Sequence, residues 1–151
     1  MYNLKKGGGT FKGLIGECMF KLTRKNLILT RFFNKNKYLT IFGNRLTKEQ
    51  YTFLDKNWYS LDAIEIDYST NPYKFLLFEV KTMNYLYNPK PYWKLLMTKN
   101  TYNLYSESLK LGFDVKVATV ILLDNWNYEI EITDFDKTDF LISKPKKYDA
   151  Y

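Results

Sequence analysis

Glu79 and Lys81 stand two residues apart at the end of an apolar run, Phe75-Leu76-Leu77-Phe78. On a β-strand that spacing sends both side chains to one face. The preceding run, from Leu61 to Asp67, offers three more acids: Asp62, Glu65 and Asp67. If Ser69-Thr70-Asn71-Pro72 connects the two runs, Tyr68 pairs with Tyr73 and Asp62 falls opposite Glu79 on the same face. In that register Asp67 opposes Lys74 on the other face and Glu65 is a polar outer position; a slip of one residue would exchange the faces. Two carboxylates converging beside a lysine suit a hard divalent cation, Mg²⁺ with Mn²⁺ as a substitute, held by oxygen ligands and water. Such an ion activates water and polarises a phosphoryl oxygen. The lysine positions that water or neutralises charge developing on the phosphate.

Composition narrows the chemistry further. The chain of 151 residues has no histidine, which excludes imidazole bases and imidazole metal ligands. Its one cysteine, Cys18, forms no intramolecular disulfide and no thiolate zinc site, and a reducing, cytoplasmic setting is expected. Followed by Met19 and Phe20 in an apolar stretch, Cys18 reads as a packed small hydrophobe. A net charge of +7 favours a polyanionic partner, and no run is long and apolar enough to span a membrane. The bias toward Lys, Asn, Tyr, Ile and Phe, with only Arg24, Arg31 and Arg45 as arginines, points to an AT-rich genome of viral or plasmid type.

The elements that must position these residues follow from periodicity and turn signals. One domain is expected over residues 1–151, with a flexible basic arm at 1–9 and a basic tail at 144–151. Thr10 to Lys25 reads as a helix capped by Thr10, with Phe11, Leu14, Ile15, Cys18 and Leu22 on its apolar stripe and Glu17 in its middle. Leu27 to Phe33 and Tyr38 to Phe42 flank a polar tetrad and read as a hairpin, with a short helix in Leu46 to Asp55. Ser60 to Tyr68 and Lys74 to Lys81 form the clearest hairpin. Asn88-Pro89-Lys90-Pro91 marks a loop; Thr98 to Leu111 is a helix ended by Gly112. Val115 to Leu123 and Tyr128 to Thr133 are strands joined by the turn Asp124 to Asn127. That order implies an α/β domain with a mixed sheet covered by helices.

Asp62 followed by Glu79-Val80-Lys81 across a hairpin, with Glu17 on an earlier helix, resembles the PD-(D/E)XK nuclease superfamily. The layout from Lys6-Gly7 to about Leu123 is similar to that of the archaeal Holliday junction resolvases within it. Two departures stand out: Leu61 replaces the motif's proline, and Asn26 to Asn57 is longer than the resolvase layout needs. The resemblance implies a restriction-endonuclease-like mixed sheet of four or five strands, with Asp62 and Glu79 as metal ligands. It also implies Lys81 as the water-positioning residue, Glu17 as an accessory acid, and Lys99 and Tyr102 near the substrate. The expected activity is Mg²⁺-dependent endonucleolytic cleavage of DNA, at branched or junction DNA if the resolvase likeness extends to substrate. A homodimer is expected if both strands are cut. The alternatives are a non-catalytic nucleic-acid-binding module on the same fold and a basic interaction protein.

Lys5, Lys6 and Lys12 on the arm, Lys21, Arg24 and Lys25 on the first helix, and Lys35 and Lys37 are candidate phosphate contacts. Of the aromatics Tyr85, Tyr87, Tyr92 and Trp93, most are expected to pack rather than to stack on bases. Asp114-Val115-Lys116 repeats the acid-x-lysine spacing but reads as the start of a strand, and Glu129 and Glu131 as outer positions of a half-solvated strand.

Overall fold

A computed structural model describes residues 10–84 and 95–143. The chain is α/β, with a five-stranded mixed sheet flanked by helices. The elements are α1 (Thr10–Thr23), β1 (Leu27–Leu29), α2 (Lys35–Phe42), α3 (Lys48–Asn57), β2 (Ala63–Asp67), β3 (Lys74–Asn84), β4 (Leu95–Thr98), α4 (Lys99–Lys110), β5 (Asp114–Leu122), β6 (Tyr128–Asp134) and β7 (Phe140–Ser143). The main sheet runs β1-β2-β3-β5-β6, with β3 and β5 parallel and every other neighbour antiparallel. A separate parallel pair, β4 with β7, was not anticipated. Among the described residues no helix is long and apolar enough to cross a membrane.

Successive residues of β3 alternate between two hydrophobic clusters, one on each side of the sheet. Phe75 and Leu77 join residues of α2, α3 and α4, including Leu39, Phe42, Leu54 and Tyr105. Leu76, Phe78 and Val80 face α1, where Phe20 meets Phe78 edge-on at 5.0 Å between centroids. Leu77, Phe78, Val117 and Val120 are sealed from solvent, as central strands covered on both faces require.

The hairpin of β2 and β3, the α4 helix, and the strands β5 and β6 match the sequence expectations closely. α4 ends as expected at Gly112, whose φ of +92° is the left-handed region that favours glycine. The helix expected within Leu46 to Asp55 is α3, opened by a reciprocal cap between Thr47 and Gln50. The expected hairpin of Leu27 to Phe33 with Tyr38 to Phe42 does not form. β1 pairs with β2 instead, and Asn34, read as a turn residue, caps α2 by accepting from the Lys37 amide at 3.0 Å. Leu39 and Phe42, three apart, then point together into the core.

The apolar stripe expected for α1 is also overturned. Phe11 is 75% and Leu22 84% exposed, and Cys18 is at the surface rather than packed. The buried side of the helix carries Gly16, Glu17 and Phe20 instead. Close approach decides the orientation, because a Cβ at Gly16 would lie 1.9 Å from Thr82 Oγ1 and 3.0 Å from Thr82 Cβ. Rotating the threonine moves its hydroxyl but not its Cβ, so Gly16→Ala is expected to destabilise the fold by about 1–3 kcal/mol through overpacking. Thr82 Oγ1 is buried without a hydrogen-bond partner, so Thr82→Ala alone is expected to be close to neutral. Urea unfolding of both single variants and the double variant checks this pair; equal stability of Gly16→Ala and wild type would refute the close-approach account.

Candidate active site

Asp62 immediately precedes β2, and Glu79 and Lys81 lie within β3. The observed register, from Ala63 opposite Phe78 to Asp67 opposite Lys74, is the one read from the sequence. Extended by one residue, it sets Asp62 beside Glu79. Asp62 is fixed on two sides. Its backbone carbonyl accepts from the Thr30 amide at 3.2 Å, and its Oδ2 accepts from the Val80 amide at 2.8 Å. Val80 is the residue between Glu79 and Lys81, so the Asp62 carboxylate is tied to the same stretch of β3 that carries the other two side chains.

Asp62 is 8% and Glu79 6% exposed. Burying two carboxylates this close is costly unless donors or cations meet them. Lys81 Nζ lies 3.5 Å from Glu79 Oε2, and the Lys81 side chain keeps 26% of its surface in solvent. The phenol of Tyr105, from the middle of α4, donates toward Glu79 Oε1 at 3.2 Å and the Phe78 carbonyl at 3.3 Å. Tyr105 is wholly buried. Burial, then the charges of Glu79 and Asp62, hold its pKa well above the usual 10, against a lowering contribution from the Asp62 backbone.

Tyr105 therefore stays a donor through the neutral range and beyond. Unfolded, its phenol ionises near pH 10; folded, it keeps its proton. Stability from this group is complete below pH 10 and declines as pH rises through the folded value. Tyr105→Phe is expected to flatten that alkaline decline and to lower any activity of the site about 10- to 100-fold, the usual effect of losing an orienting partner. Thermal melts between neutral pH and pH 11 check the first part; an unchanged alkaline slope would refute it.

Glu17 is not brought into this group. α1 packs against the Phe78 and Val80 side of the sheet, whereas Tyr105 and Glu79 meet on the opposite side. Glu17 makes a buried two-point ion pair with Arg31, at 2.6 Å and 3.1 Å. Among the described residues no three Asp, Glu, Cys or His side chains assemble as a metal cage. The oxygen donors of Asp62 and Glu79 still suit an ion that retains several waters, the habit of Mg²⁺, better than one needing a full protein shell.

Of the proposed phosphate contacts, Lys12 and Lys99 are exposed, and Lys21 is partly buried with its amine near the Lys25 carbonyl at 3.4 Å. Arg24 is committed elsewhere: it forks onto Glu65 at 2.6 and 2.7 Å and lies over the Phe78 ring at 5.2 Å. That makes Glu65 an ion-pair residue rather than a plain outer position. Lys35 pairs with Asp55 at 3.0 Å. Tyr102 keeps 38% of its surface exposed while its ring packs on Phe135 at 5.2 Å. Lys5 and Lys6, the aromatics Tyr85, Tyr87, Tyr92 and Trp93, the loop Asn88 to Pro91 and the 144–151 tail lie outside the described residues. Asp114 begins β5 as expected, and Lys116 pairs with Asp134 at 2.6 Å.

No family model, curated protein or solved structure matches the chain. The functional reading therefore rests on the site itself. Sequence reasoning missed Tyr105 and Arg31. Tyr105 lies on α4 three residues after Tyr102, on the same side of the helix, and both rings pack on Phe135; nothing in the local pattern marks Tyr105 as the one that reaches Glu79. Arg31 carried a faint signal, being one of only three arginines in a lysine-rich chain.

Proposed function

We propose that the chain is a metal-dependent phosphodiester hydrolase acting on DNA, of the restriction-endonuclease-like kind that the sequence motif resembles. The observation that carries this reading is the cross-strand pair of buried carboxylates, Asp62 and Glu79, with a partly exposed lysine on the same strand face. Asp62 and Glu79 would hold a divalent cation, Mg²⁺ or Mn²⁺. When bound, it would polarise the phosphodiester and favour ionisation of the attacking water. Lys81 projects from the buried acids toward solvent, where its ammonium orients the water and offsets charge on the non-bridging oxygens. Tyr105 fixes the Glu79 carboxylate and excludes water behind it. In-line attack forms a bond from water oxygen to phosphorus and breaks the bond to O3′. The departing oxygen gains a proton, leaving a 5′-phosphate and a 3′-hydroxyl.

The +7 charge supports docking of a polyanion, which predicts affinity falling steeply with added salt. A second reading, a binding module on the same fold, is favoured by one observation. Val80, Tyr105 and Lys81 already give both carboxylates partners, as a purely structural cluster would require. The test uses end-labelled duplex, single-stranded, forked and four-way-junction DNA with Mg²⁺, Mn²⁺ or EDTA. Metal-dependent cutting abolished by Glu79→Ala supports the hydrolase; binding without cutting on any substrate supports the module.

A further inference from the structure

A hollow of about 480 Å³ opens at the other end of the β2–β3 hairpin, lined by Arg45 and by residues 68–73. Two tyrosines and an arginine face one another across a polar turn, Ser69 to Pro72. The Arg45 guanidinium lies over the Tyr73 ring at 4.7 Å, and Tyr73 meets Tyr68 edge-on at 4.8 Å. Tyr68 is 52% exposed, while Tyr73 packs against the cluster on the Glu79 side of the sheet.

The three arginines of the chain differ in one respect. Arg24 is paired with Glu65 and Arg31 with Glu17, whereas among the described residues no carboxylate pairs with Arg45. The nearby acid, Asp67, is already satisfied. It accepts from the Ser69 hydroxyl and amide and faces Lys74, and these hold its carboxyl below the usual range. What remains is a cation over one tyrosine ring, with one guanidinium nitrogen donating to the Ile41 carbonyl at 3.4 Å, beside the half-exposed ring of another. A stacked guanidinium offers its edge to a phosphate while an exposed aromatic face takes a base.

We infer that this hollow is a subsite for single-stranded nucleic acid, with Tyr68 stacking on a base and Arg45 meeting the adjacent phosphate. The class of partner rests on the nucleic-acid reading above, but the subsite requires no cleavage. Glu79 lies six residues beyond Tyr73, which is about 20 Å at about 3.3 Å per residue. The subsite would hold the substrate well away from the bond being cut.

The test is fluorescence anisotropy of a labelled oligothymidylate in EDTA, titrated at several salt concentrations with wild type, Tyr68→Ala, Tyr68→Phe and Arg45→Gln. Tyr68→Ala and Arg45→Gln are each expected to weaken binding about 5- to 100-fold, with Tyr68→Phe close to wild type. Arg45→Gln is expected to lower the slope of log affinity against log salt by about 0.7, whereas Tyr68→Ala leaves it unchanged. Both side chains are at the surface, and matching thermal melts verify that the variants fold. Unchanged affinity in Tyr68→Ala and Arg45→Gln overturns the subsite, as does equal loss in Tyr68→Phe and Tyr68→Ala. Displacement of the oligonucleotide by inorganic phosphate alone also overturns it, leaving a simple anion site. Cleavage reads the other proposal separately. Loss of binding in Tyr68→Ala with no cutting by wild type sinks the hydrolase and keeps the subsite; cutting that needs Glu79, with binding indifferent to Tyr68, does the reverse.

Discussion

In Mg²⁺, Glu79→Gln is expected to reduce DNA cleavage by about 10³-fold and Lys81→Ala by about 10²- to 10³-fold, with the fold intact in both. Gln is the sharper replacement for Glu79 because its carbonyl still accepts from Tyr105 while its charge is gone. If the carboxylate served only to satisfy Tyr105, Glu79→Gln would keep full activity. The two variants should also differ in metal dependence. Removing a ligand raises the Mg²⁺ concentration needed for half-maximal rate, whereas removing Lys81 lowers the maximal rate with little change in that midpoint. Single-turnover cleavage across a Mg²⁺ titration measures both quantities. A midpoint unmoved by Glu79→Gln would remove Glu79 from the metal site.

The largest stability effect is expected on the other side of the sheet. Arg31 and Glu17 side chains are 2% and 4% exposed and are joined at two points. Removing one partner takes away both points of this pairing in a low-dielectric interior, so Arg31→Met is expected to cost about 3–5 kcal/mol. Replacing both, as Glu17→Leu with Arg31→Met, is expected to recover most of that loss, because the two desolvation penalties vanish together. Urea unfolding of the two single variants and the double variant gives the coupling directly. The same proteins examine Glu17 as an accessory acid: a stable double variant that cuts at the wild-type rate would confine Glu17 to a structural role.

What was legible in the sequence follows physical locality. The β2–β3 hairpin could be placed to the exact register because its connection is short and both runs are strongly patterned, and with the register came the juxtaposition of Asp62 and Glu79. α4 was legible for a similar reason: Gly112 ends it, and only glycine is at ease at its backbone angle. Failure came where tertiary packing outweighed local pattern. Phe11, Cys18 and Leu22 make a convincing apolar stripe, yet the helix turns the opposite way because Gly16 permits close approach to Thr82 and Glu17 finds Arg31. Likewise Tyr38 to Phe42 is β-rich in composition, but one Asn34 cap and the burial of Leu39 and Phe42 make it helical. Neither outcome can be seen without the neighbouring element.

The sheet's connectivity also sets an order of assembly. β2 and β3 close through a short connection, whereas β3 meets β5 only after β4 and α4 have been laid down between them. Loop-closure entropy favours the local pairing over the distant one, because the β2–β3 connection is the shorter. Asp62 and Glu79 are thus brought together by a local pairing alone, whereas Tyr105 reaches Glu79 only through the distant α4. Juxtaposing the two acids and desolvating them are therefore the work of different parts of the chain: the hairpin sets their register, and α4 covers Glu79 with the phenol that meets its carboxylate.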